Sequence, residues 1–289
     1  MTQKADTQHV LVAHCPDSAG ISADVTGFLA RHGAFITDTQ SFGCPVSKRF
    51  FMRIVFRAND GRTLDSDSLK EDFGALARRR DMAWQMVRAD RPARTVIAVS
   101  RSSHCLNNLL HRWHLGTLPI DIAAVVSNHE DCRALVEWYG LRFEHLPVTP
   151  DTRSEQEARF KAVIDEADAE LVVLARYMQI LSDRFAATLE GRCINIHHSF
   201  LPGFKGAKPY HQAYRRGVKI IGATAHYVTA DLDEGPIIEQ EVERVDHTMT
   251  PEQLVDIGRD IESRVLVRAV RWHAQHRILP NNDRTVVFK

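Results

Sequence analysis

The sequence has few cysteines and no closely spaced pair of them. Five cysteines are scattered over 289 residues: Cys15, Cys44, Cys105, Cys132 and Cys193. Without a Cys-x-x-Cys motif, neither a disulfide framework nor a thiolate zinc site is indicated, and a reducing cytoplasm is the expected location. His-Glu-x-x-His is also absent despite 15 histidines. A metallohydrolase is therefore disfavoured, and we expect no metal.

The chain also lacks an excess of charge and a long apolar run. Lys plus Arg and Asp plus Glu number 37 each, so no global field favours nucleic acid or a membrane surface. The short basic run Arg78-Arg79-Arg80 is typical of a solvated helix end. The first residues are polar, and no apolar segment reaches the length of a signal h-region at the start or a transmembrane helix elsewhere. We therefore expect no nucleic-acid partner and no membrane association.

Residues 1–90 predict a small α+β domain. Apolar alternation and β-branched residues predict strands, and apolar residues on one face predict helices. The strands are expected at 9–14, 35–42, 49–56 and 82–87, and the helices after Asp17 and over 64–76. This βαββαβ order is the ferredoxin-like arrangement.

The turn into the first helix carries a family resemblance. Cys15-Pro16-Asp17-Ser18-Ala19-Gly20-Ile21, followed by His32-Gly33-Ala34-Phe35-Ile36-Thr37-Asp38, resembles an ACT domain. Pro and Asp suit a strand-to-helix turn, and Gly20 permits close backbone approach. The resemblance implies a regulatory or oligomerisation domain that binds a small amino acid between paired copies. A packing module without a ligand is the alternative.

A polar linker at 90–94 precedes a domain expected over 95–289. Strands at 95–100, 120–126, 143–146 and 171–175 alternate with helices, which predicts a Rossmann-like, mostly parallel sheet buried on both faces. Ligands then belong at the carboxyl ends of its strands. Thr250, Pro251 and Gln253 predict the start of a long helix through a capping box. A last strand is expected at 284–288.

Candidate catalytic residues lie near the end of a further strand, 192–197. Asn195 and His197 are two residues apart, so both side chains point to one side of the sheet. Asp233 lies in the loop 229–236, which can fold back over them. An amide donor, an imidazole and a carboxylate suit acyl chemistry through a tetrahedral intermediate, because the amide and imidazolium stabilise the oxyanion while the carboxylate keeps the imidazole charged and orients water.

These segments resemble the formyltetrahydrofolate deformylase family over nearly the whole chain. The resemblance is carried by 194–202 (Ile-Asn-Ile-His-His-Ser-Phe-Leu-Pro), by 232–237 (Leu-Asp-Glu-Gly-Pro-Ile), by 174–182 (Leu-Ala-Arg-Tyr-Met-Gln-Ile-Leu-Ser) and by the ACT-like segment. It implies that Asn195, His197 and Asp233 are catalytic, that Gln179 and Leu181 bind the pterin, and that the loop from Thr229 covers its other edge. His198 and Lys208 would define the acceptor pocket or hold the folate tail. For His198, packing of the following turn is the alternative.

The reaction implied by the resemblance is hydrolysis of the formyl C–N bond of 10-formyltetrahydrofolate, giving formate for purine synthesis and balancing the one-carbon folate pool. It implies no cofactor, a homodimer or homotetramer, and amino-acid control. Formyl transfer to an amine such as glycinamide ribonucleotide is the alternative. It is less favoured, because the loop 100–106 (Ser-Arg-Ser-Ser-His-Cys-Leu) has no glycine for close approach to a phosphate.

Overall fold

The computed structural model describes residues 7–59, 64–203 and 209–289. These described residues divide into two compact units, one formed by those up to Pro92 together with Gln275–Lys289, and the other by those within Ala93–Ala274. The expected second domain, 95–289, is therefore wrong at its C-terminal end. The reason is burial: Leu279 and Phe288 share an apolar cluster with Cys44 and Phe51 of the first unit.

The first unit has the expected βαββαβ order. Its elements are β1 (His9–Pro16), α1 (Ile21–Arg31), β2 (Ala34–Cys44), β3 (Arg49–Ala58), α2 (Ser66–Arg79) and β4 (Ala83–Arg88). The sheet order β2-β3-β1-β4, antiparallel throughout, is the ferredoxin-like topology, so this part of the predicted fold is confirmed. The buried faces of both helices, including Val25, Phe28 and Phe73, cover one side of the sheet.

The second unit is built around a seven-stranded sheet. Its elements are β5 (Ala93–Val99), α3 (His104–His114), β6 (Ile120–Ser127), α4 (Arg133–Trp138), β7 (Phe143–His145), α5 (Arg153–Glu166), β8 (Leu171–Leu174), α6 (Asp183–Ala187), β9 (Cys193–His197), α7 (Pro209–Arg216), β10 (Ile220–Tyr227), β11 (Ile237–Arg244) and α8 (Pro251–Ala274). The strand order is β11-β10-β9-β8-β5-β6-β7. Strands β5 to β9 pair in parallel, whereas β10 and β11 are antiparallel additions. The mostly parallel sheet is thus confirmed.

Burial explains why the sequence pattern was informative here. Strand β8 is buried at all four positions, as expected of a strand covered on both faces. The capping box of α8 is present: Thr250 N donates to Gln253 Oε1 at 2.8 Å, and Gln253 N donates to Thr250 Oγ1 at 3.3 Å. None of the helices in the described part of the chain combines the length and apolar composition that a membrane crossing requires.

The C-terminal residues form a hairpin of β12 (Ile278–Asn281) and β13 (Arg284–Val287). The expected terminal strand is therefore present, but within the first unit. Two carbonyl oxygens tie it there, because Arg53 donates to the Gln275 oxygen at 3.1 Å and Gln40 to the Lys289 oxygen at 2.8 Å.

Candidate active site

A cavity of about 330 Å³ in the second unit brings most of the expected site residues together. It is lined by the segment after β8, by the end of β9 and by the loop after β10. Seven of the expected residues line it: Gln179, Leu181, Asn195, His197, His198, Thr229 and Asp233. The eighth, Lys208, lies outside the described residues.

A hydrogen-bonded group of four side chains forms one wall of this cavity. His197 Nδ1 lies 3.1 Å from Asp233 Oδ2. His226 Nε2 lies 3.6 Å from Asp233 Oδ1 and 3.2 Å from Asn195 Nδ2. His226 Nδ1 lies 2.8 Å from the Tyr227 carbonyl oxygen, which fixes a proton on that nitrogen and leaves Nε2 to accept from the Asn195 amide.

His226 is a member of this group that the sequence analysis missed. It is buried in β10, directly opposite Asn195 in the antiparallel register with β9. A signal did exist, because His226 and Thr224 are polar positions on one face of an otherwise apolar strand, Ile-Ile-Gly-Ala-Thr-Ala-His-Tyr. Recognising it as a site residue requires the pairing of β10 with β9, which the strand pattern alone does not give.

The carboxylate of Asp233 is held in its charged form. Burial alone would raise its pKa, but the hydrogen bond from His197 and the proximity of His226 outweigh burial and bring the pKa below the ordinary value. Its backbone φ of 58° lies in the left-handed region, where Asp is one of the better tolerated non-glycine residues. The loop thus turns sharply to present the carboxylate to both imidazoles.

The other ring nitrogen of His197 has no hydrogen-bond partner among the described residues, although it is buried. Asp233 fixes Nδ1, so Nε2 is the position at which this ring can exchange a proton or donate to a bound oxygen. The Asn195 amide has two N–H donors, and His226 accepts only one. The wall therefore presents two groups suited to a developing oxyanion, and both are held in place by neighbours.

The turn that carries His198 is pinned by buried hydrogen bonds. Thr224 Oγ1 donates to the Ser199 carbonyl oxygen at 2.9 Å and accepts from Leu201 N at 3.1 Å. His198 itself is half-buried, and its ring centroid lies 5.2 Å from that of His197. Burial, reinforced by the Arg176 charge, lowers the pKa of His198 to about 3, so this imidazole is neutral at physiological pH.

Comparison with known proteins decides the family. The formyl transferase family model matches residues 93–270. A formyltetrahydrofolate deformylase from a Corynebacterium species is 50% identical over 282 residues, which cover 98% of this chain and 98% of that protein. The chain belongs to the formyltetrahydrofolate deformylase family.

Solved structures of this deformylase family share both units. The crystal structure of formyltetrahydrofolate deformylase from Burkholderia mallei superposes with a TM-score of 0.93 and 52% identity, covering 98% of this chain and all of that one. Glycinamide ribonucleotide transformylase 1 from Symbiobacterium toebii is more distant, with a TM-score of 0.64, 29% identity and coverage of 70% of this chain and 97% of that one. The similarity to the transformylase is therefore partial, whereas the similarity to the deformylase spans nearly the whole chain.

Proposed function

We propose that this chain hydrolyses 10-formyltetrahydrofolate to formate and tetrahydrofolate. Similarity over nearly full length to formyltetrahydrofolate deformylases supports this reaction. The observation that carries the chemistry is His197, whose Nδ1 is held by Asp233 while the buried Nε2 has no partner among the described residues. Formate release would make the enzyme a supplier of formate for purine synthesis and a drain on the one-carbon folate pool.

In the proposed mechanism, water adds to the formyl carbon beside the His197 ring. The new C–O bond converts the carbonyl oxygen into an oxyanion, which Asn195 and the His197 imidazolium stabilise by hydrogen bonds. Asp233 orients the water and keeps His197 charged. Because its pKa is lowered, Asp233 is a weak proton acceptor and acts mainly through its charge. The C–N bond then breaks as the folate nitrogen takes a proton from the His197 imidazolium. One proton of the added water returns to His197, the other passes to solvent, and formate leaves.

The folate ring is proposed to bind in the same cavity, between the segment after β8 and the loop after β10. Gln179 and Leu181 would contact the pterin from one side, and Thr229 from the other. Exposed apolar side chains at the cavity, Met178, Ile180 and Leu232, suit a flat heteroaromatic ring. We propose no cofactor, since folate is the substrate and water the acceptor.

We further propose that the first unit mediates oligomerisation, as a homodimer or homotetramer, and binds an amino-acid effector. Its ferredoxin-like topology and the ACT-like turn 15–21 support this role. Strand β2 forms an edge of the sheet and exposes Phe35 and Phe42, which suits pairing with a second copy. All five cysteines are free and buried, which fits the proposed cytoplasmic location.

The deciding experiment is a rate assay with 10-formyltetrahydrofolate and water only, following formate and tetrahydrofolate together. Release of both in equal amounts without an added amine is the expected result. Turnover that begins only when glycinamide ribonucleotide or another amine is added would instead establish a transferase. Repeating the assay with a panel of free amino acids tests the effector, and unchanged rates across the panel would contradict it.

A further inference from the structure

A second buried carboxylate lies near the active-site cavity. Glu262, in the middle of α8, is 1% exposed, and partners from three other segments surround it. His104 Nε2 lies 2.8 Å from Oε2, and Tyr210 donates its hydroxyl to Oε1 at 2.7 Å. Arg176 Nε lies 3.3 Å from Oε2, an ion pair rather than a directed hydrogen bond. A carboxylate this deeply buried needs such partners to remain charged.

This carboxylate links the walls of two neighbouring cavities. Arg176 lines the cavity of the proposed hydrolytic site. Tyr210 lines a second, more apolar cavity of about 190 Å³. His198 lines both cavities, and its ring centroid is 6.4 Å from that of Tyr210. Glu262 therefore contacts a residue of each cavity. Its Oε2 pairs with Arg176 of the first cavity, and its Oε1 accepts from Tyr210 of the second.

The packing of α8 shows that Tyr210 has a dedicated place. Gly258 lies one helical turn before Glu262, and a Cβ at that position would come within 2.1 Å of Tyr210 Cζ. Only glycine lets the phenol ring cross the helix closely enough for its hydroxyl to reach Glu262. Gly258 and Glu262, at i and i+4, lie on the same face of α8 and together form the surface on which Tyr210 packs.

The same cluster has the ligand types of a metal site, because His104, Cys105 and Glu262 place their donor atoms within 4.8 Å of one another. Two features oppose a cation there. The Arg176 guanidinium already forms an ion pair with Glu262 Oε2. Burial and the nearby Glu262 charge raise the pKa of the Cys105 thiol, so the thiolate that a metal needs is disfavoured.

We propose that Glu262 is a positioning residue of the hydrolytic site, which holds Arg176 and Tyr210 against His198 and thereby fixes the wall beside which water attacks. The inference rests on the proposed function. Glu262 acts through its neighbours, since it does not line the active-site cavity. Loss of its charge should leave folate binding intact and slow the chemical step, because the wall beside the attacking water is no longer held in a fixed position.

The test compares Glu262→Gln and Tyr210→Phe with matched controls in the full-length chain. For Glu262→Gln we expect kcat to fall by about tenfold or more while KM for 10-formyltetrahydrofolate changes by less than about twofold. For Tyr210→Phe we expect a fall of about threefold, and the double variant should be no slower than Glu262→Gln alone, since both remove one contact. The exposed Asp260→Asn on α8 and Tyr214→Phe on α7 should retain the wild-type rate.

Two further measurements keep the outcome independent of folding and of the reaction. The ¹⁵N resonances of the His198 ring, assigned with His198→Gln, should move in Glu262→Gln and Tyr210→Phe but not in the controls. Unmoved resonances, an unchanged kcat, or a loss explained by the unfolded fraction in a thermal melt would overturn the proposal. So would stoichiometric zinc in the purified protein that Glu262→Gln loses. If wild type releases no formate, the proposed function fails, and the ¹⁵N shifts alone decide whether Glu262 positions His198.

Discussion

Two carboxylates in the second unit are removed from water and paired with imidazoles, yet they are built differently. Asp233 comes from a sharply turned loop, contacts His197 and His226, and lines an open cavity. Glu262 comes from the middle of a helix, and both of its oxygens are taken up by protein partners. The Asp233 group leaves one buried nitrogen, Nε2 of His197, without a partner among the described residues. The comparison separates a group with an unpaired imidazole nitrogen at a cavity from a carboxylate whose own oxygens are both paired, although Arg176 Nε reaches Glu262 only as an ion pair.

The difference follows from the cost of unpaired polar atoms. A buried polar atom without a hydrogen bond costs about 1–3 kcal/mol, so proteins retain few of them. At His197 that cost is consistent with catalysis, because a substrate oxygen can complete the hydrogen bonding. The carboxylate of Glu262 is fully paired, so it can hold its neighbours in place but has no oxygen free for a substrate. We therefore expect substitutions at Asp233 to affect mainly activity and those at Glu262 to affect stability as well.

The largest effect is expected for Asp233→Asn. Asparagine keeps the shape and tolerates left-handed backbone, but it removes the charge that supports the His197 imidazolium. We expect kcat/KM to fall by at least about 100-fold, with a loss of about 1 kcal/mol or less in the free energy of unfolding. Initial rates and urea unfolding measure the two quantities. The neighbouring, exposed Glu234→Gln is the matched control. Full activity in Asp233→Asn would remove this carboxylate from the mechanism.

For Glu262→Ala we expect the main effect on the free energy of unfolding rather than on activity. Truncation leaves the Arg176 guanidinium and the Tyr210 hydroxyl buried without their acceptor, and breaking a buried pair in this way costs about 3–5 kcal/mol. The midpoint of urea unfolding of the second unit should fall accordingly. Asp260→Ala, exposed on the same helix, should change the free energy of unfolding by less than about 0.5 kcal/mol. A cost for Glu262→Ala as small as that of the control would mean that the network adds nothing to stability.

A smaller effect is expected for Gly258→Ala, which inserts one methyl group under the Tyr210 ring. Overpacking of this kind costs about 1–3 kcal/mol, and the displaced ring should weaken its hydrogen bond to Glu262. Gly74→Ala in α2 is the control, because a Cβ there meets only an Arg78 side-chain atom at 3.6 Å, and alanine in an open helical position stabilises by about 0.5–1 kcal/mol. If both substitutions stabilise, Tyr210 does not depend on the glycine.

Local patterns were sufficient for the part of the candidate active site that lies on one strand. The two-residue period of β9 placed Asn195 and His197 on one side, and the alternation of strands and helices placed them at the end of a buried sheet. The capping residues Thr250 and Gln253 marked the start of α8 for the same reason, since the signal and the structure it predicts lie within one helical turn. Asp233 depended on the family resemblance, because a loop's path back to the sheet is not encoded in its own spacing.

The Glu262 network shows where such patterns stop. An apolar stripe of α8 runs through Leu254, Ile257, Ile261 and Val265, and Gly258 and Glu262 lie beside it at four-residue intervals from Leu254. A carboxylate on that face was a visible sign of a buried partner. Its partners could not be named, because His104 is 158 residues away in the chain. The C-terminal hairpin was assigned to the wrong unit for the same reason, since its packing against β3 is a long-range contact.

The smallest expected effect is on the pH dependence of stability, in which His198 differs from the carboxylates of Asp233 and Glu262. Arg176, Glu262, His197 and Asp233 all act on His198, yet burial dominates and lowers its pKa from 6.5 to about 3. Between those values the unfolded chain binds a proton at His198 that the folded chain does not, so this residue makes stability fall as pH drops from about 6.5 towards 3. The lowered pKa values of Asp233 and Glu262 take effect only further down, below their ordinary values of 3.8 and 4.5.

In a window from pH 6.5 to pH 4.5 His198 contributes together with His9 and His14, whose pKa values burial also lowers, so a substitution is needed to obtain the share of His198. In His198→Gln, the free energy of unfolding should vary less with pH across this window than in wild type, because one site of proton uptake by the unfolded chain is gone. The exposed His247→Gln should follow the wild-type slope. Urea unfolding at several pH values measures both. Equal slopes in wild type and His198→Gln would mean that the ring protonates in the folded protein, and the wall between Arg176 and Tyr210 would then be open enough to admit a charged imidazole.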